Sequence, residues 1–195
     1  MNNPSINEPP LVFCDSCLMI DIINPNSAFA HLVLPIMELR AQKKITIGLS
    51  EITMAECCKL VSIKGESIDT YSLLEAYFSG DCYRRFPVTA PVSAYAAVLI
   101  RRYDLDCCDA VILATALVHR AKQFYTRDEK SLCKKLRKRT HPAKVKDKAR
   151  ADTRPHTFKD EQEVYERLGT IDIVELSTGE SVEVDVPPTD PVVAA

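Results

Sequence analysis

The chain has 195 residues, 46% of them apolar, and carries 25 Lys and Arg against 27 Asp and Glu, a formal charge of -2. That length suits one domain or one domain with an appendage, and the apolar fraction excludes global disorder. No apolar run approaches the roughly 20 residues of a membrane span, and MNNPSINEPP lacks the basic start and apolar core of a signal peptide, so a cytoplasmic, non-membrane protein is expected. The near-neutral total conceals a division. Residues 130–150 hold ten basic groups against one acid, Asp147, whereas from Ile171 onward there are six acids and no base.

In chain order, LVFC at 11–14 is a short apolar run ending at Asp15 and reads as a buried parallel strand. Residues 27–42 have helical spacing, and 45–47 form a second strand closed by Gly48. Ser50 is placed to cap a helix running to about Ile63. A further helix spans about 69–78, and 82–88 is a third strand that Pro87 makes short or peripheral. Residues 92–103 are helical. DCCDAVILATALVHRA at 106–121 is the clearest helix, with Asp106 as its expected cap and acids suited to its first turn. Residues 123–126 form a fourth strand, and Asp128 opens another helix. Strands alternating with helices predict an α/β sandwich with a mostly parallel sheet. The core is expected over 11–136. Residues 137–159 have too few large apolar groups for a core face and read as a basic, flexible insertion. A helix near 160–168 and a strand at 171–176 complete the fold within 160–176, and 177–195 reads as a loose acidic tail containing prolines.

Several chemistries are excluded by their missing motifs. None of the five glycines makes a GxxxxGK[ST] or GxGxxG loop, and GxSxG and HExxH are absent. His31, His119, His141 and His156 are scattered. The eight cysteines, including the Cys14-Cys17 CxxC, lie in apolar segments and read as reduced, buried thiols.

Four carboxylates remain. Asp15 follows the first strand, Glu56 lies on the helix after the second, Asp109 opens the clearest helix, and Asp128 follows the fourth strand. In a parallel sandwich Asp15, Asp109 and Asp128 meet at the carboxyl edge of the sheet, and Glu56 joins them if its helix leans over that edge. Two unit charges 4 Å apart repel by about 4 kcal/mol at an effective dielectric near 20. A divalent cation removes that penalty, and all-oxygen ligands favour Mg²⁺ or Mn²⁺ over zinc. Such an ion supports phosphodiester hydrolysis. Asp21, Glu51 and Asp104 are expected to be solvated.

Four segments carry a resemblance to a known family: LVFCDSCLMIDII at 11–23, SEITMAECCKL at 50–60, DAVILATAL at 109–117 and YTRDEKSL at 125–132. The chain resembles the PIN-domain family and, within it, the VapC-type toxin ribonucleases. Cys17 stands where many members carry Asn. The resemblance implies a small three-layer α/β/α sandwich that binds Mg²⁺ or Mn²⁺ and cleaves RNA. It implies that Asp15, Glu56, Asp109 and Asp128 are the catalytic, metal-binding acids, with Ser16 and Thr126 orienting carboxylates or water. A homodimer and a small antitoxin partner are implied in the same way.

The basic block begins close to Asp128. Lys134, Lys135, Arg137, Lys138 and Arg139 are the candidate contacts to RNA phosphates, and the lack of interleaved aromatics argues against base stacking. The leading expectation is a metal-dependent endoribonuclease, as the toxin of a toxin–antitoxin pair. A non-toxin RNA-processing PIN nuclease and a catalytically silent RNA-binding PIN protein stand beside it. A receiver-like phosphoacceptor domain fits less well, because the first strand does not end in an acidic pair. A HAD-type phosphotransferase would need DxD where Asp15-Ser16-Cys17 stands.

Overall fold

The computed structural model of the chain describes residues 8–24, 27–60, 70–137 and 158–186, with the backbone alone for 59, 60, 70 and 158–160. Its strands are β1 (Leu11–Cys14), β2 (Thr46–Ser50), β3 (Tyr83–Phe86), β4 (Gln123–Thr126), β5 (Asp172–Glu175) and β6 (Glu180–Ser181). They form one sheet in the order β3-β2-β1-β4-β5-β6. All pairings are parallel except that of β5 with β6. The helices are α1 (Ser16–Ile23), α2 (Ala30–Ala41), α3 (Glu51–Leu60), α4 (Thr70–Tyr77), α5 (Ala90–Tyr103), α6 (Cys107–Val118), α7 (Lys134–Arg137) and α8 (Phe158–Leu168). Among the described residues no helix is long and apolar enough to cross a membrane.

Period-two alternation divides β1 between two cores. Val12 and Cys14 enter a cluster with Leu18 and Met19 of α1, Val33 and Ile36 of α2, Met54 and Cys57 of α3, and Leu74 and Phe78. Phe13 points the other way, into a cluster with Phe124, Ile173 and the buried faces of α5, α6 and α8. The sheet is therefore covered by helices on both faces, the three-layer α/β/α arrangement that was expected. The short third strand lies at the sheet edge, where a following proline costs no ladder hydrogen bond.

Some elements differ from the sequence reading. Helix α1 was not foreseen. It starts directly after β1, with Asp15 as N-cap, and buries Leu18, Met19 and Asp21. Helix α2 starts at Ala30, three residues later than expected, after a turn at 28–29. The expected end of α3 near Ile63 and start of α4 at Asp69 lie outside the described residues. Between Asp128 and α7 stands a π-helical turn, Glu129–Cys133, a form that recurs beside functional sites. Residues 177–186 are not a loose tail. Buried Glu175 accepts from Ser177 N at 2.8 Å and Thr178 Oγ1 at 2.7 Å, which closes the turn into β6. Val182 is then buried, with Val184 and Val186 packed beside it, and Tyr103 Oη donates to Asp185 O at 3.0 Å.

Gly48 is required by a close approach. It sits opposite Phe13 in the β1–β2 register, and a Cβ there would lie 2.3 Å from Phe13 Cε2. Phe13 is fully buried and stacks on Phe86 at 5.5 Å between centroids, so it cannot withdraw. Gly48→Ala is expected to lower stability by roughly 1–3 kcal/mol, measured as a lower urea midpoint with an unchanged slope; an unaltered midpoint would show that the ring yields.

Candidate active site

The strand order reverses between β1 and β4: β2 and β3 extend one way from β1, and β4, β5 and β6 the other. Such a switch point leaves a crevice at the carboxyl ends of the strands. Asp15 and the Thr126-Arg127-Asp128 segment leave the sheet there from adjacent strands, and Asp15 N donates to Tyr125 O at 2.9 Å.

Asp15 is 3% exposed and is surrounded by donors. Oδ1 accepts from Ser16 N at 2.7 Å, with Ser16 Oγ at 3.4 Å; Oδ2 accepts from Thr126 Oγ1 at 2.9 Å and Cys17 Sγ at 3.3 Å. Burial pushes its carboxyl above the usual range. The bonds from Thr126, Cys17 and Ser16 oppose that shift, and the charge of Asp128 adds to it. Thr126 links two acids, since its oxygen also accepts from Asp128 N at 3.0 Å. Asp128 Oδ1 in turn accepts from Ser131 N at 2.8 Å, which caps the π-helical turn.

Asp109, in the first turn of α6, is half-buried. Its carboxyl is pushed up to about 7, first by burial and then by the charges of Asp15, Asp128, Asp106 and Glu56. Asp15, Asp128 and Glu56 thus each contribute to the shift at Asp109. Glu56 Oε2 is buried with no hydrogen-bond partner, as is Thr53 Oγ1 one turn earlier. Among the described residues, no three acidic, histidine or cysteine side chains already stand arranged around a common point for an ion.

The start of α3 is fixed to β3 by charge. Arg85 holds Glu51 with Nε at 3.1 Å and Nη2 at 3.0 Å, and also reaches Glu75 at 2.9 Å and Tyr71 Oη at 2.8 Å. Glu51 is therefore paired rather than solvated. Asp21 is likewise corrected: it is buried against Arg127. Asp104 is exposed, at the end of α5.

Asp106 occupies the N-cap position of α6 but makes no capping bond. Its carboxylate turns toward Ser131 Oγ at 3.2 Å and Lys135 Nζ at 3.7 Å, partners that compete with the helix amides. Ser131 Oγ also lies 3.4 Å from Asp109 Oδ2. Asp106 and Ser131 were thus missed as neighbours of the site; the three-residue spacing of Asp106 and Asp109 was the available signal. The CxxC thiols offer no redox pair. Cys14 is buried with its thiol pushed up to about 12, and Cys17 is also raised, both by burial and then by Asp15.

Lys134 and Arg137 are exposed on α7, and Lys135 is half-buried beside Asp106. The π-helical turn leads straight from Asp128 to this helix. Lys138 and Arg139 lie outside the described residues.

The raised Asp109 carboxyl has a consequence for stability. Its folded value, about 7, exceeds the unfolded value of roughly 4, so the folded state binds more protons between them. Stability therefore falls as pH rises from about 4 to about 7 and stays low above that range. In metal-free protein, Asp109→Asn is expected to raise stability at pH 8 by about 1–2 kcal/mol, a value reduced for solvent screening of a partly exposed group. The gain should shrink toward pH 4 in thermal unfolding; a gain independent of pH would contradict this origin.

Comparison with protein families found the PIN domain over residues 12–138. Comparison with curated proteins found no match. Among solved structures, the chain is similar to a toxin–antitoxin complex from Klebsiella pneumoniae, with 21% identity, 62% of this chain and 88% of that chain covered, and a TM-score of 0.47. It is similar to VapBC2 from Rickettsia felis bound to a DNA fragment from their promoter, with 20% identity, coverage of 62% and 89%, and a TM-score of 0.48. It is also similar to FitAB bound to an IR36 DNA fragment, with 24% identity, coverage of 62% and 87%, and a TM-score of 0.45. The family match runs from the first buried strand past the end of α7 and spans well over half of the sequence: the chain belongs to the PIN-domain family.

Proposed function

We propose that the protein is a divalent-metal-dependent endoribonuclease that hydrolyses RNA phosphodiester bonds, with Asp15, Glu56, Asp109 and Asp128 holding Mg²⁺ or Mn²⁺. One observation carries the reading. Asp15 and Asp128 leave adjacent strands at the switch point and are tied through Thr126, and Glu56 Oε2, on the helix after β2, is buried without any donor. A buried acceptor left unpaired costs roughly 1–3 kcal/mol, and more when charged. A hard cation would satisfy such an oxygen and would offset the burial and neighbouring charges that raise Asp109. The all-oxygen donor set suits Mg²⁺ or Mn²⁺.

When bound, such an ion supplies water activation and charge neutralisation at the phosphodiester. The chain supplies the orientation. Ser16 and Thr126 hold Asp15 by both oxygens, Ser131 holds Asp128, and Arg85 anchors the helix that carries Glu56. Asp109 would hold the ion in its deprotonated form, so with its carboxyl pushed up to about 7 metal affinity is expected to rise with pH through that value. Lys134, Lys135, Arg137, Lys138 and Arg139 form the RNA-facing arm of this proposal. The toxin role, a small antitoxin partner, a homodimer and a cytoplasmic setting belong to it through the resemblance of the four segments to VapC-type nucleases.

With structured RNA and Mn²⁺, cleavage is expected to vanish with chelator and to fall by at least about a hundredfold in Asp15→Asn and Asp109→Asn. That exceeds most of the roughly 10–100-fold loss seen for residues that only support a ligand. Cleavage that survives both substitutions and the chelator would refute the reading, and RNA binding with no cleavage by the wild type would favour a silent PIN protein. Replacing Lys134 and Arg137 together by Ala should make the log–log slope of RNA affinity against salt shallower, by about 0.7 for each phosphate that is no longer neutralised; an unchanged slope would remove α7 from the RNA path.

A further inference from the structure

The turn that bears Asp128 is also tied to α1 through the residue before it. Arg127 Nε donates to Asp21 Oδ2 at 2.6 Å. Asp21 Oδ1 accepts from Ser27 Oγ at 2.6 Å, and the guanidinium lies 4.4 Å over the Phe29 ring. The Asp21 side chain is 2% exposed and that of Arg127 28%. Stability alone is a weak reason for such a pair, because desolvation offsets most of the Coulomb gain and an apolar pair of similar volume serves as well.

The placement supplies another reason. Asp21 lies on α1, whose N-cap is Asp15. Six residues of helix span about 9 Å, so α1 is a short strut with a site acid at its start and an anchor toward its end. Arg127 stands between Thr126, which donates to Asp15, and Asp128, whose amide donates to Thr126. The β1–β4 ladder and the Thr126 hydroxyl join the roots of Asp15 and Asp128, and the Asp21–Arg127 pair adds a side-chain tie between the Asp128 turn and α1.

We propose that the Asp21–Arg127 pair is a positioning device for the acidic site: it pins the Asp128 turn to the helix capped by Asp15 and so keeps the two carboxylates together before a cation enters. The inference rests on reading the site as a divalent-cation site. It also removes Arg127 from the RNA contacts, because its guanidinium is engaged inward. Arg127 is a positioning residue, since it acts on the site through Asp128.

The test is Mn²⁺ affinity by isothermal titration calorimetry on the full chain, with metal-free unfolding measured alongside. The variants are Arg127→Lys and the double substitution Asp21→Leu with Arg127→Met. The double variant leaves no buried charge unpaired, so its metal-free stability is expected to stay close to wild type. Its Mn²⁺ affinity is expected to fall about 10–100-fold. Arg127→Lys, which keeps the charge but loses the planar Nε contact, should fall in between. Equal affinity in the wild type and the folded double variant would overturn the device and leave the cation site standing. If the double variant does not fold, Asp21→Asn carries the same expectation, and unchanged affinity there overturns it equally. A wild type that takes up no Mn²⁺ overturns the proposed function, and the device falls with it.

Discussion

Carboxylates crowded at one edge of a parallel sheet repel one another, and much of the surrounding structure answers that repulsion. Asp15 accepts four donors, from Ser16, Cys17 and Thr126. Asp128 is fixed by Ser131 on one side and by the Thr126 hydroxyl on the other. Neutral donors reduce the cost of each charge without cancelling it, and Asp109 is raised first by burial and then by the charges of four other acids.

Topology decides which residues bear that strain. β1 is central, with β2 and β4 on either side, so the loops after β1 and β4 open into the same crevice. The helix after β2, which carries Glu56, is held to β3 by Arg85. Gly48 permits the sheet to close over Phe13 and thereby seats β1 against β2. The packing of Phe13 is thus linked, through one strand, to the position of Asp15 two residues later.

Much of this could be read from local pattern. Short apolar runs marked the strands, the first of them ending at Asp15, and helical spacing marked α3, α5 and α6. The α/β sandwich with a mostly parallel sheet follows from their alternation, and its three layers were implied by the family resemblance. What escaped was non-local or brief. Asp21 is an ordinary helix acid by sequence; its burial depends on Arg127, 106 residues away. Asp106 carries every local sign of a cap, and only the arrival of Ser131 and Lys135 turns it elsewhere. Helix α1 has eight residues, too few for a clear periodic signal beside the strand it follows. The alternation Val182, Val184, Val186 did announce a segment with one buried face, but acids and prolines around it obscured the signal.

The most direct measurement of the central claim is electron paramagnetic resonance of free Mn²⁺ in the presence of metal-stripped protein near neutral pH. Wild-type protein is predicted to quench the aqueous Mn²⁺ signal, and Glu56→Gln, which removes the charge behind a buried oxygen that has no donor, is predicted to leave most of it. A signal undiminished by the wild type, or diminished equally by Glu56→Gln, would contradict the account.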